Sequence, residues 1–333
     1  MYNSWFTSII IPARNEKDYI EDVINGIPEW IDLILVADDG STDSTGEIAK
    51  KALVKTGRKN FDSRNNGPWS TILKLKGEGV GKAIMQGYEY ILTSKNTKHI
   101  EAYTEKKSVC IVMAGDGQMD HSDLKQLLDP IVSKEARYTK GNRFNDFEQI
   151  GNMPMIRRIG SNLLSVLTTL SSGISVRDPQ CGYTALELSV LEDINFENPW
   201  KGYGYPNWLL LKFGINNIPV KEVNTKCIYK GEKSGIKLWK FFPTVAAMLF
   251  LGLWKRGADW YVFGKGIHKA KWYIRVCLIF SWISAWSSIL LLVIQQLFQM
   301  MNIEKNILII QFILSILICY TFDKIEINRR FNA

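Results

Sequence analysis

Between residues 5 and 225, short apolar runs alternate with longer stretches of helical hydrophobic pattern. Apolar runs of that length suit strands buried on both faces, so the pattern predicts a mostly parallel sheet covered by helices. Strands are expected at Thr7–Ile11, Leu33–Ala37, Ser70–Lys76 and Val109–Met113. Helices are expected near Glu16–Ile27, Ser44–Lys55, Val80–Ser94 and Ser122–Ile131. Beyond residue 238 the pattern changes. Leu238 to Trp260 is apolar and aromatic between flanking cations, with Pro243 and Gly252 arguing against one straight spanning helix. Trp239, Trp254 and Trp260 suit a headgroup layer, so interfacial helices are expected, with a third crossing as the alternative. Val276–Phe298 is long enough to cross about 30 Å of hydrocarbon, and Ile307–Phe322 is marginal without its flanks. Together they predict a transmembrane hairpin.

Composition sharpens this picture. With 333 residues, 46% of them hydrophobic and 22% charged, the chain has enough material for one large α/β domain and an anchor, and disorder is not the default. The net charge of +8 is spread along the chain rather than gathered in one polybasic tail, which favours phosphates and lipid headgroups over nucleic acid. Five scattered cysteines without a CxxC pair indicate neither a disulfide framework nor a zinc site, and a reducing compartment fits them best. No secretory signal is visible at the N-terminus. Lys269, Lys271 and Arg275 precede the hairpin and Lys324, Arg329 and Arg330 follow it, so both ends should face the cytoplasm. These readings give a multi-pass protein of the cell (inner) membrane with its folded domain in the cytosol. The chain also allows a homo-oligomer.

Polar motifs fall where the expected strands end, which is where open α/β sheets bind ligands. Pro12-Ala13-Arg14-Asn15-Glu16 follows the first strand and reads locally as a helix start capped by Asn15. Asp38-Asp39-Gly40-Ser41 follows the second; its turn needs Gly40 but not two carboxylates, which points to Asp39 contacting a nucleotide. Gly77-Glu78-Gly79-Val80-Gly81-Lys82-Ala83 resembles a phosphate loop without the spacing of one. Asp116-Gly117-Gln118-Met119-Asp120 puts hard oxygen donors at a strand end where Mg²⁺ or Mn²⁺ could bind, its shell completed by a diphosphate, while Asp120 caps the next helix.

In this order the motifs resemble glycosyltransferase family 2, in particular its polyprenyl-phosphate glycosyltransferases of the dolichyl-phosphate mannose synthase type. Pro12–Glu16 is similar to that family's PxxNE, Asp38–Ser41 to its DDGS, Gly79–Ala83 to its GxGxA, and Asp116–Gln118 to the later half of its DADxQ. Gly141-Asn142-Arg143-Phe144 resembles G[SN]R[FY], and Asp178-Pro179-Gln180-Cys181-Gly182-Tyr183 resembles DxxSG[FY]. The resemblance, over roughly residues 5 to 240, implies a GT-A nucleotide-diphospho-sugar fold and an inverting transfer of one sugar from a UDP- or GDP-sugar. It departs at Ala114, where the family's first metal-site Asp is expected, and at Arg14, where the family often has an aromatic residue. It divides the chain into a catalytic domain at 1–228, a mobile loop and interfacial helices at 229–270, and two transmembrane helices with a short tail at 271–333.

The same residues suggest a chemistry. Departure of a nucleoside diphosphate spreads negative charge that a divalent cation at Asp116 and Gln118, with Lys82, would stabilise. Pro12, Arg14, Glu16 and Asp39 complete the expected donor site. A lipid phosphate acceptor, with a second pKa of about 6, is already nucleophilic near neutrality and needs no strong base. Arg143, Arg157 and Arg158, beside Ser161, suit that phosphate. Lys230 and Lys233 resemble the family's closing loop. The catalytic set is then Asp116, Arg143 and Asp178. Two other readings stay open: a hydroxyl acceptor, with Asp178 as general base, and an inactive membrane adaptor of the same fold.

Overall fold

The computed structural model describes residues 1–61, 67–94, 107–144, 155–194, 196, 198–226, 228, 238–264, 270–298 and 304–331. Its centre is an eight-stranded sheet built from β1 (Phe6–Ala13), β2 (Leu33–Asp38), β3 (Lys59–Asn60), β4 (Trp69–Lys74), β5 (Ser108–Val112), β6 (Tyr138–Asn142), β7 (Thr184–Glu187) and β8 (Val220–Asn224). The strand order is β3-β4-β2-β1-β5-β7-β6-β8, and only β7 runs antiparallel to its neighbours. The order reverses between β1 and β5, so the carboxyl ends of β1, β2 and β5 open onto one crevice.

Of the expected strands, β1, β2 and β5 are buried along both faces, while β4 is mostly half-buried. Ile9, Ile11, Ile34 and Val36 pack towards α1 (Ile20–Asn25), α2 (Thr45–Lys55) and α4 (Leu124–Val132). Ile10, Leu33 and Leu35 pack towards α3 (Val80–Thr93) and α7 (Tyr205–Ile215). Alternate residues of one apolar run thus feed two cores, each fully buried Ile or Leu contributing about 1.5–3 kcal/mol. The short α6 (Ser189–Asp193) follows β7.

Two sequence expectations need correction. The helix expected at Glu16–Ile27 is shorter, because Asn15 adopts a positive φ of 60° and the Glu16 N–H donates to Thr45 Oγ1, at 2.8 Å. These contacts tie residues 14–16 to the neighbouring loop, and Asn15 caps no helix. The stretch from Leu238 is one continuous helix, α8 (Leu238–Gly257), with Pro243 near its start. Among the described residues it is not one of the helices long and apolar enough to cross a membrane.

The two that are lie in α9 (Trp272–Phe298) and α10 (Lys305–Phe331). Each is about 40 Å long at 1.5 Å per residue. Only 22% and 17% of their apolar windows are buried inside the protein, unlike the core helices of a soluble domain. They pack antiparallel: Ser284 meets Gln311 and Ser315 through hydrogen bonds of 3.1 and 2.9 Å, and Leu278 lies opposite Cys319. Trp254 of α8 packs against Trp282 and Trp286 of α9.

A buried arginine joins this hairpin to the sheet domain. Arg256 donates to the Leu170 and Ser171 carbonyls at the end of α5 (Met155–Ser172), at 2.9 and 3.0 Å, satisfying two acceptors that a helix end leaves open. The same guanidinium grips both carboxylate oxygens of Asp323 in α10, at 2.8 and 2.7 Å, and the Tyr261 hydroxyl donates to that carboxylate. The Trp260 ring lies under the guanidinium groups of both Arg256 and Arg330.

Candidate active site

The crevice is organised by backbone donors and short polar side chains. Asp39 N–H donates to the Ala13 carbonyl and Gly115 N–H to the Pro12 carbonyl, at 2.9 and 3.0 Å, which draws the ends of β2 and β5 onto β1. Asn15 receives the Thr42 N–H at 2.8 Å, and its own N–H donates to Ser41 Oγ at 3.0 Å. Position 40 requires glycine twice over: its φ is 71°, and a Cβ there would meet the Gly77 backbone nitrogen at 2.9 Å. Pro12 and Asp39 are buried, Glu16 is half-buried and Arg14 is exposed, its guanidinium beside Gly77.

Asp39 has a role that sequence reading did not find: its Oδ2 accepts the Gly79 N–H at 2.9 Å and so holds the glycine-rich loop against β2. That loop also departs from the phosphate-loop pattern. The N–H groups of Gly81 and Lys82, which open α3, donate to the Lys201 carbonyl at 2.9 and 3.4 Å, and a Cβ on Gly81 would overlap the Trp200 carbonyl oxygen. Here glycine serves a close crossing of two backbones. The signal was ambiguous because glycine answers both needs. The Lys82 ammonium pairs with Glu78 at 2.6 Å, and Lys201 reaches the same carboxylate at 3.2 Å. These hydrogen bonds hold the Glu78 carboxyl below its ordinary range.

Across the switch point, Asp116 Oδ1 accepts the Gln118 N–H at 3.0 Å in a tight turn after β5, in which Gly117 has a φ of 69°. Both side chains are half-buried on this rim. Asp120 Oδ1 accepts the Ser122 N–H at 2.8 Å and caps the following turn, as the sequence indicates. His121 hydrogen-bonds the Val23 carbonyl and packs on Gly26.

The second half of the site is a buried charge cluster. Asp178 is fully buried, and Arg143 holds it with two prongs, Nε to Oδ2 at 2.7 Å and Nη2 to Oδ1 at 2.9 Å, adding its backbone N–H at 3.2 Å. Burial pushes the Asp178 carboxyl up, but Arg143 and then Lys140 outweigh it and hold the group below the ordinary carboxylate range. Lys140 is itself fully buried in β6, its ammonium donating to the Cys181 carbonyl, and burial pulls its pKa down. Glu222 of β8 accepts N–H groups from Arg177 and Asp178, each at 2.9 Å, and burial raises its pKa. Lys140 and Glu222 carried no sequence signal, since one polar residue on a short strand normally points to water.

Ser161 lies half-buried on α5. Arg157 and Arg158 fall within the same helix, but their side chains lie outside the described residues, as do Lys230 and Lys233 entirely.

The family model for glycosyl transferase family 2 matches residues 8–194, from β1 past β7. The chain belongs to glycosyltransferase family 2. This glycosyltransferase is 29% identical over 225 residues to the UDP-N-acetylglucosamine--dolichyl-phosphate N-acetylglucosaminyltransferase of Methanococcus voltae, covering 66% of this chain and 85% of the relative. It is 28% identical to the polyprenol monophosphomannose synthase of Mycolicibacterium smegmatis, covering 65% and 75% respectively. Among solved structures it matches glucosyl-3-phosphoglycerate synthase of Mycobacterium tuberculosis in complex with Mn²⁺, UDP and phosphoglyceric acid. That match has a TM-score of 0.50 and 17% identity, covers 76% of this chain and 78% of the other, and shows the GT-A fold.

The donors at Asp116 and Gln118 can be tested against a divalent cation. Among the described residues there is no group of three or more His, Cys, Asp or Glu side chains able to hold a metal. Mg²⁺ and its analogues commonly bind one or two carboxylates and take the remaining ligands from substrate phosphates and water. One carboxylate and one amide oxygen on the crevice rim fit a cation shared with a diphosphate, and do not fit an all-protein cage.

Proposed function

We propose that the glycosyltransferase moves one sugar from a UDP- or GDP-sugar to a polyprenyl phosphate at the cytoplasmic face of the membrane. The observation that carries this reading is the Arg143–Asp178 pair. A hydroxyl acceptor needs a base, and Asp178 is buried, held on both oxygens and shifted away from proton uptake. A phosphate acceptor arrives as an anion and needs cationic donors, which Arg143 supplies and Arg157, Arg158, Ser161, Lys230 and Lys233 would extend. The named relatives in Methanococcus and Mycolicibacterium support the acceptor class.

In this mechanism Pro12, Arg14, Glu16 and Asp39 border the nucleoside, with Asp39 acting through the loop it holds. Arg143 orients the acceptor phosphate, whose oxygen attacks the anomeric carbon as the bond to the diphosphate breaks, inverting that centre. The nucleoside diphosphate leaves towards Asp116 and Lys82. Mg²⁺ or Mn²⁺ held by Asp116 and Gln118 would neutralise charge on the departing diphosphate. The α9–α10 hairpin and its flanking cations support a cytosolic active site at the lipid surface.

The test is nucleoside diphosphate release from a panel of UDP- and GDP-sugars with Mn²⁺ or Mg²⁺, adding either a short polyprenyl phosphate or the matching alcohol in detergent. Release is expected with the phosphate alone. Equal release with the alcohol would overturn the acceptor assignment.

A further inference from the structure

The fully buried Lys140 and its half-buried neighbour Glu222 have no place in the chemistry above, yet they are an expensive arrangement. A lysine buried without water costs several kcal/mol unless paired, and an apolar side chain would fill β6 more cheaply. The two residues are register partners on the adjacent parallel strands β6 and β8. Both reach the same loop, at opposite ends. Glu222 accepts the N–H groups of Arg177 and Asp178 where the loop begins, and Lys140 donates to the Cys181 carbonyl where it closes. Within the loop the Cys181 N–H donates to the Asp178 carbonyl at 3.3 Å, and Gln180 hydrogen-bonds the buried Asn207. The one carboxylate this loop presents is Asp178, and it holds Arg143 with two prongs.

We propose that Lys140 and Glu222 are positioning residues that clamp the Asp178 loop from both ends and so aim the Arg143 guanidinium at the acceptor phosphate. A guanidinium has five N–H donors in one plane. With Nε and Nη2 committed to Asp178, the orientation of that plane follows from where the Asp178 carboxylate sits. A carboxylate shifted by a fraction of an ångström turns the whole fork. Glu222 fixes the peptide that bears Asp178, and Lys140 fixes the far end. This inference rests on the reading of Arg143 as an acceptor-phosphate ligand.

The test is a double-variant cycle on the full-length protein in detergent, with binding of a short polyprenyl phosphate and of UDP or GDP measured separately by calorimetry. Glu222→Ala and Arg143→Lys are each expected to weaken polyprenyl phosphate binding at least fivefold, with nucleotide binding within twofold of wild type. The double variant is expected to bind no more than twofold more weakly than Arg143→Lys, because both act through one guanidinium. Glu222→Gln, which keeps one acceptor oxygen, is expected to fall between wild type and Glu222→Ala, and it replaces that variant if Glu222→Ala does not fold. Weakening by Arg143→Lys but not by the Glu222 variants, or fully additive effects, would overturn the clamp and leave the acceptor reading intact. No weakening by Arg143→Lys would overturn the acceptor reading, and the clamp with it.

Discussion

Replacing Asp178 by Asn separates a carboxylate that holds an arginine from one that accepts a proton. The Asp178 side chain is 1% exposed and that of Arg143 20% exposed, so the pair is screened little by solvent. Removing one charge of such a pair typically costs about 3–5 kcal/mol, and Asn, which keeps the shape and one acceptor oxygen, should fall near the lower end at about 3 kcal/mol. For a domain of this size that lowers Tm by roughly 6–12 °C. The group's pKa is depressed in the folded protein, so its contribution is present above the unfolded carboxyl value of about 3.9 and is lost as pH falls through the folded value. The Tm gap between wild type and variant should therefore be flat from about pH 5 to 9 and narrow below about pH 4. In a transfer assay with polyprenyl phosphate, the variant should raise acceptor KM and keep kcat within about tenfold. Loss of a general base would instead cost about 10²–10⁴ in kcat. A variant with unchanged Tm and acceptor KM and a thousandfold lower kcat would refute this reasoning.

Asp116→Asn should lower nucleoside diphosphate release about a hundredfold, the rate equivalent of about 3 kcal/mol, and remove its dependence on added Mn²⁺ or Mg²⁺; unchanged metal-dependent turnover would contradict the site. Gly81→Ala should destabilise by about 2 kcal/mol or more, read by thermal melting, because the new Cβ has to displace the Trp200 carbonyl. Arg256→Met should cost about 3 kcal/mol by stranding Asp323, and adding Asp323→Leu should recover most of it; a double variant no more stable than the single would show that the loss lies in the Leu170 and Ser171 carbonyls.

The elements legible in the sequence are those whose residues do one job. β1, β2 and β5 are mostly apolar because both faces are covered, and their short length favours strands over buried helices. β6 was not legible, since Tyr138-Thr139-Lys140-Gly141-Asn142 is buried through polar partners supplied by residues about 40 and 80 positions later. The acidic motifs follow β2 and β5, which flank β1 at the switch point. Asp39 and Gly79–Lys82 stood out in the sequence as motifs, but their contacts to one another and to Lys201 did not, because these depend on how distant backbones cross. Pro243 was read as arguing against one straight helix, yet α8 continues through it.

The Arg256 contacts also bear on how the protein is made. Arg256 lies on a helix that precedes the hairpin, whereas Asp323 and Arg330, which complete its surroundings, belong to the last helix of the sequence given. During synthesis α8 therefore emerges with Arg256 able to reach the Leu170 and Ser171 carbonyls but without its carboxylate partner. That partner, Asp323, arrives only with α10. The sheet domain therefore reaches its final packing only once the last, apolar helix has folded back onto α8, which couples completion of the domain to completion of the hairpin.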